Sequence, residues 1–165
     1  MSHRHLVAGL GIAGFAIVCA GTADAQLLAR KDLSLATALT IAITGLEMCK
    51  GQGYTVSATV VGRNGEIIVQ LRGDNAPPHT VENSFRKAYS ARTFRVPSGE
   101  LVKRLKDNPQ AGFVYLSNIV AAQGALPIKV GDDVIGAAGI SGAPGGEKDE
   151  ACVKAGLDKV ADVLK

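Results

Sequence analysis

An Asn-Gly pair, Asn64-Gly65, separates two stretches that alternate along an extended chain: Tyr54 to Val61, rich in Val and Thr, and Glu66 to Arg72. Asn-Gly favours the tight turn whose twist matches paired antiparallel strands, so the segment reads as a hairpin. Three more strand patterns follow one another near the end of the chain: Phe113 to Ala121, Ala125 to Val130 and Val134 to Gly142. Pro127 confines the middle one to an edge or a bend, because proline has no amide hydrogen to give to a ladder. Runs of adjacent strands pair antiparallel, and a doubly wound parallel sheet would need strict strand–helix alternation. The expectation is an α+β fold: a single domain with a five-stranded antiparallel sheet packed with helices.

Helical periodicity fills the gaps. Asp32 or Ser34 can cap a first helix in which Leu35, Leu39, Ile43 and Leu46 recur, with Gly51 and Gly53 ending it. Thr80, or His79 itself, stands at the cap of a second, along whose side Val81, Phe85, Ala88 and Arg92 lie. Pro97 ends that helix. Ser98 can cap a short third one through Leu105, and Asn108-Pro109 turns the chain. Asp149 can cap a last helix with Val153, Leu157, Val160 and Leu164 as its apolar stripe.

The first 25 residues have the layout of a secretory signal peptide: a cationic start at Arg4, an uncharged apolar run from Leu6 to Ala20, and small residues at Ala23 and Ala25. Cleavage after Ala25 leaves residues 26–165 as the domain, in the periplasm or secreted. The apolar run is short and glycine-rich for a membrane span. Val18 before Cys19 is too bulky for a lipoprotein box. Cys49 and Cys152 then remain as an even pair in an oxidising compartment. They are either two buried thiols or a disulfide, and their placement on the two terminal helices favours the disulfide.

The net charge of +3 is scattered, without the basic, aromatic-studded stripe that nucleic acid requires. The absence of tryptophan argues against a deep aromatic-walled cavity. Three motifs mislead. Gly9-Leu10-Gly11-Ile12-Ala13-Gly14 spells a dinucleotide fingerprint, but no strand precedes it and it lies in the leader. Arg72-Gly73-Asp74 spells the integrin tripeptide, which recurs by chance. The glycines from Gly142 to Lys148 have no Lys-Ser/Thr pair after them, as a phosphate loop needs. One histidine outside the leader and no Cys-x-x-Cys leave no usual zinc site, and no Gly-x-Ser-x-Gly elbow supports a Ser-His-Asp triad.

His79 is the residue with most chemical potential. A loop histidine is ordinarily a surface residue and nothing more. Here a helix N-terminus disfavours a positive charge, which keeps an imidazole able to ligate a metal. Pro77 and Pro78 restrict the backbone before it. Arg86 lies two turns on, about 10 Å along the axis, where it or Lys87 can meet the carboxylates of a large anionic cofactor. Haem fits that layout, with an axial imidazole at one end and propionate partners at the other. It is one option among several.

The segments Val60-Val61-Gly62-Arg63-Asn64-Gly65, Leu71-Arg72-x-Asp74, Pro78-His79-Thr80, Arg86-Lys87-Ala88-Tyr89-Ser90-Ala91, Leu126-Pro127-Ile128 and Ile135 to Gly146 with Asp149-Glu150 together resemble the GlcG/HbpS-like haem-binding family. The likeness runs over essentially all of residues 26–165, and the C-terminal domain of PduO-type corrinoid adenosyltransferases belongs to the same group. The chain departs from the family pattern at Gly62, where Asp is usual, at Ser90 and Ser98, where Thr is usual, and at Gln123-Gly124-Ala125, where glycines precede Leu-Pro. The resemblance implies a profilin- or PAS-like fold and a homo-oligomer. It also implies haem as cofactor, with haem degradation as the activity it allows, and a sensor kinase or membrane transport system as partner.

The resulting reading is an exported, non-catalytic haem-binding protein. His79 is its axial ligand, and Arg72, Arg86 or Lys87 lie near the propionates. Asp74, Thr80, Gly139 and Ser141 complete the candidate site. The alternative is a sensor or enzyme for an organic acid or aromatic metabolite, with a pocket between Arg72-Asp74, Lys87 and the strand Gly136–Gly142. A third reading is an interaction module in which the oligomer matters more than any pocket.

Overall fold

A computed structural model describes residues 26–165; the expected leader, with Cys19 and the Gly9–Gly14 motif, lies outside the described residues. The elements are α1 (Leu35–Gly51), β1 (Ser57–Val61), β2 (Ile67–Arg72), α2 (His79–Phe94), α3 (Ser98–Asp107), a 3-10 turn (Gly112–Tyr115), β3 (Ala125–Val130), β4 (Asp133–Ser141) and α4 (Gly146–Lys159). The sheet has four strands in the order β2-β1-β4-β3, every neighbouring pair antiparallel. The hairpin turns at Asn64-Gly65 as its residues require: Gly65 adopts φ 82°, and the amide of Gly62 donates to the carbonyl of Glu66 at 2.8 Å.

The sheet is covered on both faces. Alternate residues of the two central strands point opposite ways. Ala58 and Val60 of β1, with Ala138 and Ile140 of β4, pack in the larger apolar cluster with Ile41 and Ala42 of α1 and Val153 of α4. Val61 and Ala137 join Ala88 and Ala91 of α2 on the other face. At Gly156 a side chain's first carbon would stand 2.4 Å from the carbonyl oxygen of Ile41, so α4 lies directly on α1. Cys49 and Cys152, both fully buried, are joined across this contact with Cα atoms 5.6 Å apart. Ser34 caps α1, its hydroxyl accepting from the amide of Thr37 at 3.1 Å.

The structure corrects the fifth strand. Residues 113–121 start in the 3-10 turn, and Asn118 then enters the left-handed region at φ 65°, which breaks any ladder. The backbone groups there find side chains of α2 instead of a neighbouring strand. Arg86 Nη2 donates to the carbonyl of Ile119 at 2.8 Å, and the amide of Val120 donates to Ser90 Oγ at 2.9 Å. Ile119, fully buried, is the segment's anchor.

Two expected caps also do other work. The Ser98 hydroxyl accepts from the amide of Ala125 at 3.0 Å and so pins the start of β3. The last helix begins earlier than Asp149, at Gly146, and Asp149 is buried inside the protein. Pro127 lies in β3, an edge strand, as its missing amide hydrogen demands.

Candidate functional site

The interface between α2 and the sheet is a polar seam. Thr80 Oγ1 lies 2.7 Å from Ser57 Oγ, Ser84 Oγ lies 2.8 Å from Thr59 Oγ1, and Asn83 Nδ2 donates to Ser141 Oγ at 2.9 Å. Thr80 and Ser84 stand one turn apart on α2, and each meets a hydroxyl of β1. The helix can lie this close because position 139 is glycine. A first side-chain carbon at Gly139 would stand 2.5 Å from the carbonyl oxygen of Ser84 and 2.8 Å from the amide of Ala88. Gly139 and Thr80, two of the expected site residues, are therefore part of the packing that fixes α2.

One turn further along the seam, Lys87 and Asp149 form a buried ion pair. Nζ lies 2.7 Å from Asp149 Oδ2, and the two side chains are 5% and 3% exposed. Lys87 also donates to the carbonyl of Ile140 at 3.2 Å. The other carboxylate oxygen of Asp149 accepts from the amide of Ala143 at 3.0 Å. Burial pushes the Asp149 carboxyl up from its ordinary value, against the opposing pull of Lys87. Gly124, at φ 127°, closes over the pair, and a side chain there would run into both Asp149 and Lys87. The sequence offered Lys87 as a free cation and Asp149 as a cap. A Lys on the inner face of a helix, three residues after a Ser on the same face, was the available signal that it turns inward.

What this framework carries is an open groove of about 480 Å³ between the first turns of α2 and the loop joining β4 to α4. His79, Asn83 and Ser141 line it on one side, Ala143 to Gly146 on another, and Pro77, Val102 and Ala122 give it apolar wall. The Lys87–Asp149 pair is its floor. A smaller cleft of about 360 Å³ continues from His79 past Glu82 and Asn83 to Arg86. His79 opens α2 and is exposed, and among the described residues no hydrogen bond or ion pair engages its ring. The guanidinium of Arg86 is held at one end by the Ile119 carbonyl and lies 3.7 Å from Glu82, with the side chain 37% exposed.

Arg72 and Asp74 line a different groove, with Leu46, Glu47 and Lys50 of α1 and Tyr54. Arg72 there donates to the carbonyl of Ala76. The alternative pocket, spanning Arg72-Asp74, Lys87 and the small residues of β4, does not form as one cavity among the described residues. Gly136 and Gly139 are closed by the backbone of β1 and of α2. The structure thus brings His79, Lys87, Ser141 and the adjoining Arg86 together and leaves Arg72 and Asp74 apart. No group of three or more His, Cys, Asp or Glu capable of holding a metal ion occurs among the described residues.

Fold and groove together define a single α+β domain with helices on both faces of an antiparallel sheet and one free imidazole at the mouth of an open cleft. The chain belongs to the HbpS-like family: the family described as haem degrading protein HbpS-like matches residues 33–158. Among solved structures, HbpS superimposes with a TM-score of 0.78 at 32% identity, over 82% of this chain and 94% of that one. A double mutant of HbpS from Streptomyces reticuli does so with a TM-score of 0.78 at 31% identity, over 90% and 99%. The PduOC–heme complex shares the fold at 20% identity and a TM-score of 0.70, over 78% and 94%. No curated protein gives a significant match.

Proposed function

We propose that this chain is an exported haem-binding protein of the HbpS type, which binds, stores or senses haem without efficient catalysis, and that His79 is the axial ligand of the iron. The observation that carries the reading is an unengaged imidazole at the edge of an open groove, on a helix whose first two turns are clamped to the sheet by hydroxyl pairs. A ligand held on such a turn loses little further freedom on binding. The donor set fits haem, which brings four of its own metal ligands and asks the protein for one imidazole and for cations near its carboxylates. Arg86 is the propionate partner; Lys87, spent on Asp149, acts from below by holding the groove floor. Bound haem would supply the redox chemistry. This chain's residues bind and orient it.

The family description, and the heme carried by the same fold in PduOC, support the choice of ligand. The leader pattern of residues 1–25 supports export, and no helix among the described residues is long and apolar enough to cross a membrane. A sensor kinase or a membrane transport system is the class of partner that such a protein would serve. The expected result is a Soret band when residues 26–165 are titrated with haemin, shifted or lost in His79→Ala. An unchanged spectrum in that variant removes His79 from the account. Arg86→Met should weaken binding by up to ~1 kcal/mol, as for a half-exposed ion contact.

A specific surface favours self-association as well. Leu35, Leu39 and Ile43 stand on successive turns of α1 and are 62%, 38% and 46% exposed, an apolar stripe of the kind that packs against another molecule. The homo-oligomer reading expects Leu39→Lys to lower the mass measured in solution. A wild-type chain that is already monomeric at high concentration would end it.

A further inference from the structure

The groove that takes in Arg72 and Asp74 encloses about 320 Å³, and haem binding at His79 leaves it without a role. Four charged side chains line it, one acid and one base from each of two elements. Glu47 and Lys50 come from the last turns of α1, Arg72 and Asp74 from the end of β2 and the turn after it. No ion pair joins any two of them among the described residues. Elsewhere on the surface opposite charges close in sequence do pair: Glu100 with Lys103 at 2.7 Å, Lys154 with Asp158 at 2.6 Å and Asp162 with Lys165 at 2.5 Å. Glu47 and Lys50 have the same three-residue spacing as the first of these, in the favourable order of acid before base, and stay apart.

The turn that carries Arg72 and Asp74 is fixed at three points. The amide of Gly73 donates to the carbonyl of Val56 at 2.9 Å, and a side chain at Gly73 would run into that same oxygen. The amide of Ala76 donates back to the Gly73 carbonyl at 3.1 Å, and Arg72 Nη2 donates to the carbonyl of Ala76. One nitrogen thus holds the guanidinium in place, while the rest of its fork has no partner among the described residues. Leu46, Tyr54 and Val56 add apolar lining.

We propose that this groove binds a free α-amino acid with an apolar side chain, its carboxylate on Arg72 and Lys50 and its ammonium on Asp74 and Glu47. A lone anion would meet two carboxylates here, and a lone cation two basic groups. A molecule that carries both signs on one carbon satisfies both sets. The guanidinium fork takes a carboxylate through parallel bonds, and an ammonium has three donors to share between two carboxylates. The volume lies at the small end of the range for ligand sites, which suits a molecule far smaller than haem. The groove shares no lining residue with the one at His79, so the proposal stands or falls independently of the haem reading.

The test is calorimetric titration of residues 26–165 with L-leucine and with L-phenylalanine, repeated with N-acetyl-L-leucine, which lacks the ammonium, and with L-leucinamide, which lacks the carboxylate. Saturable binding of one or both amino acids is expected. It should weaken about tenfold or more in the two blocked forms and in Arg72→Met and Asp74→Asn, each of which removes a charge-assisted contact. Arg72 also holds its own turn, so Asp74→Asn keeps the test valid if Arg72→Met fails to fold: Asp74 is exposed, and no hydrogen bond or ion pair engages its side chain among the described residues. No saturable binding of either amino acid, a blocked form bound as tightly as the free one, or full affinity in Asp74→Asn would overturn the proposal and leave the four charges as a solvated face.

Discussion

Replacing Cys49 and Cys152 together by Ala should lower the unfolding free energy by about 4–5 kcal/mol, or roughly 10–15 °C in melting temperature. The cysteines are 103 residues apart, so the bond closes most of the described domain into one loop and removes much of the freedom of the unfolded chain. It also clamps the two terminal helices where they pack closely, one turn from Gly156. Both cysteines are fully buried, so a reductant should reach the bond only when the domain opens. Native protein in reductant alone should keep its disulfide for hours, and the same reductant in mild denaturant should not. A double variant that melts with the wild type would show that the bond adds nothing to the packing of α1 on α4.

The second large effect is expected at the buried ion pair, and it should be asymmetric. Asp149→Asn keeps an oxygen for the Ala143 amide but leaves the Lys87 ammonium buried without a countercharge, a loss of about 3–5 kcal/mol. Lys87→Met leaves a carboxyl that can take up a proton and become neutral, so its cost should be smaller, about 1–3 kcal/mol. The sign of the pH dependence follows from the direction of the Asp149 shift. Its folded pKa is raised, so the stability linked to that proton is fully present below the ordinary carboxyl range and is lost as pH rises through the raised value. Asp149→Asn should remove this component of the pH profile. Equal losses from the two substitutions at neutral pH would mean that the pair is not buried as the structure places it. Haem affinity measured on the same variants would separate the floor's effect on the groove from its effect on the fold.

Much of the architecture was legible because it is written in short-range patterns. The Asn64-Gly65 turn, the period of α1 and the edge position forced by Pro127 each follow from local stereochemistry. The misread segment, residues 113–121, has the apolar content of a strand but no neighbour with free backbone groups. Its amide and carbonyl are taken by Ser90 and Arg86, and nothing local announces a helix side chain standing in for a strand. The candidate site was half legible for a related reason. His79 stands out because imidazole is rare here and sits after two prolines. Lys87 and Asp149 are 62 residues apart, and a charge buried by a partner that distant looks like any surface charge. Arg72 and Asp74 are near His79 in sequence, but the turn between them faces α1.

The edges of the sheet have a consequence for growth. β3 offers the outside world a strand with Pro127 in it, a slip in register between Ile128 and Lys129, and an exposed lysine at the slip. Each of these spoils a template for another strand. β2, at the far edge, has no proline. Its ladder with β1 also slips in register, between Val60 and Val61. A chain with two good edges can add copies without end, as fibrils do. On the β3 side, then, the sheet is closed to growth by strand addition.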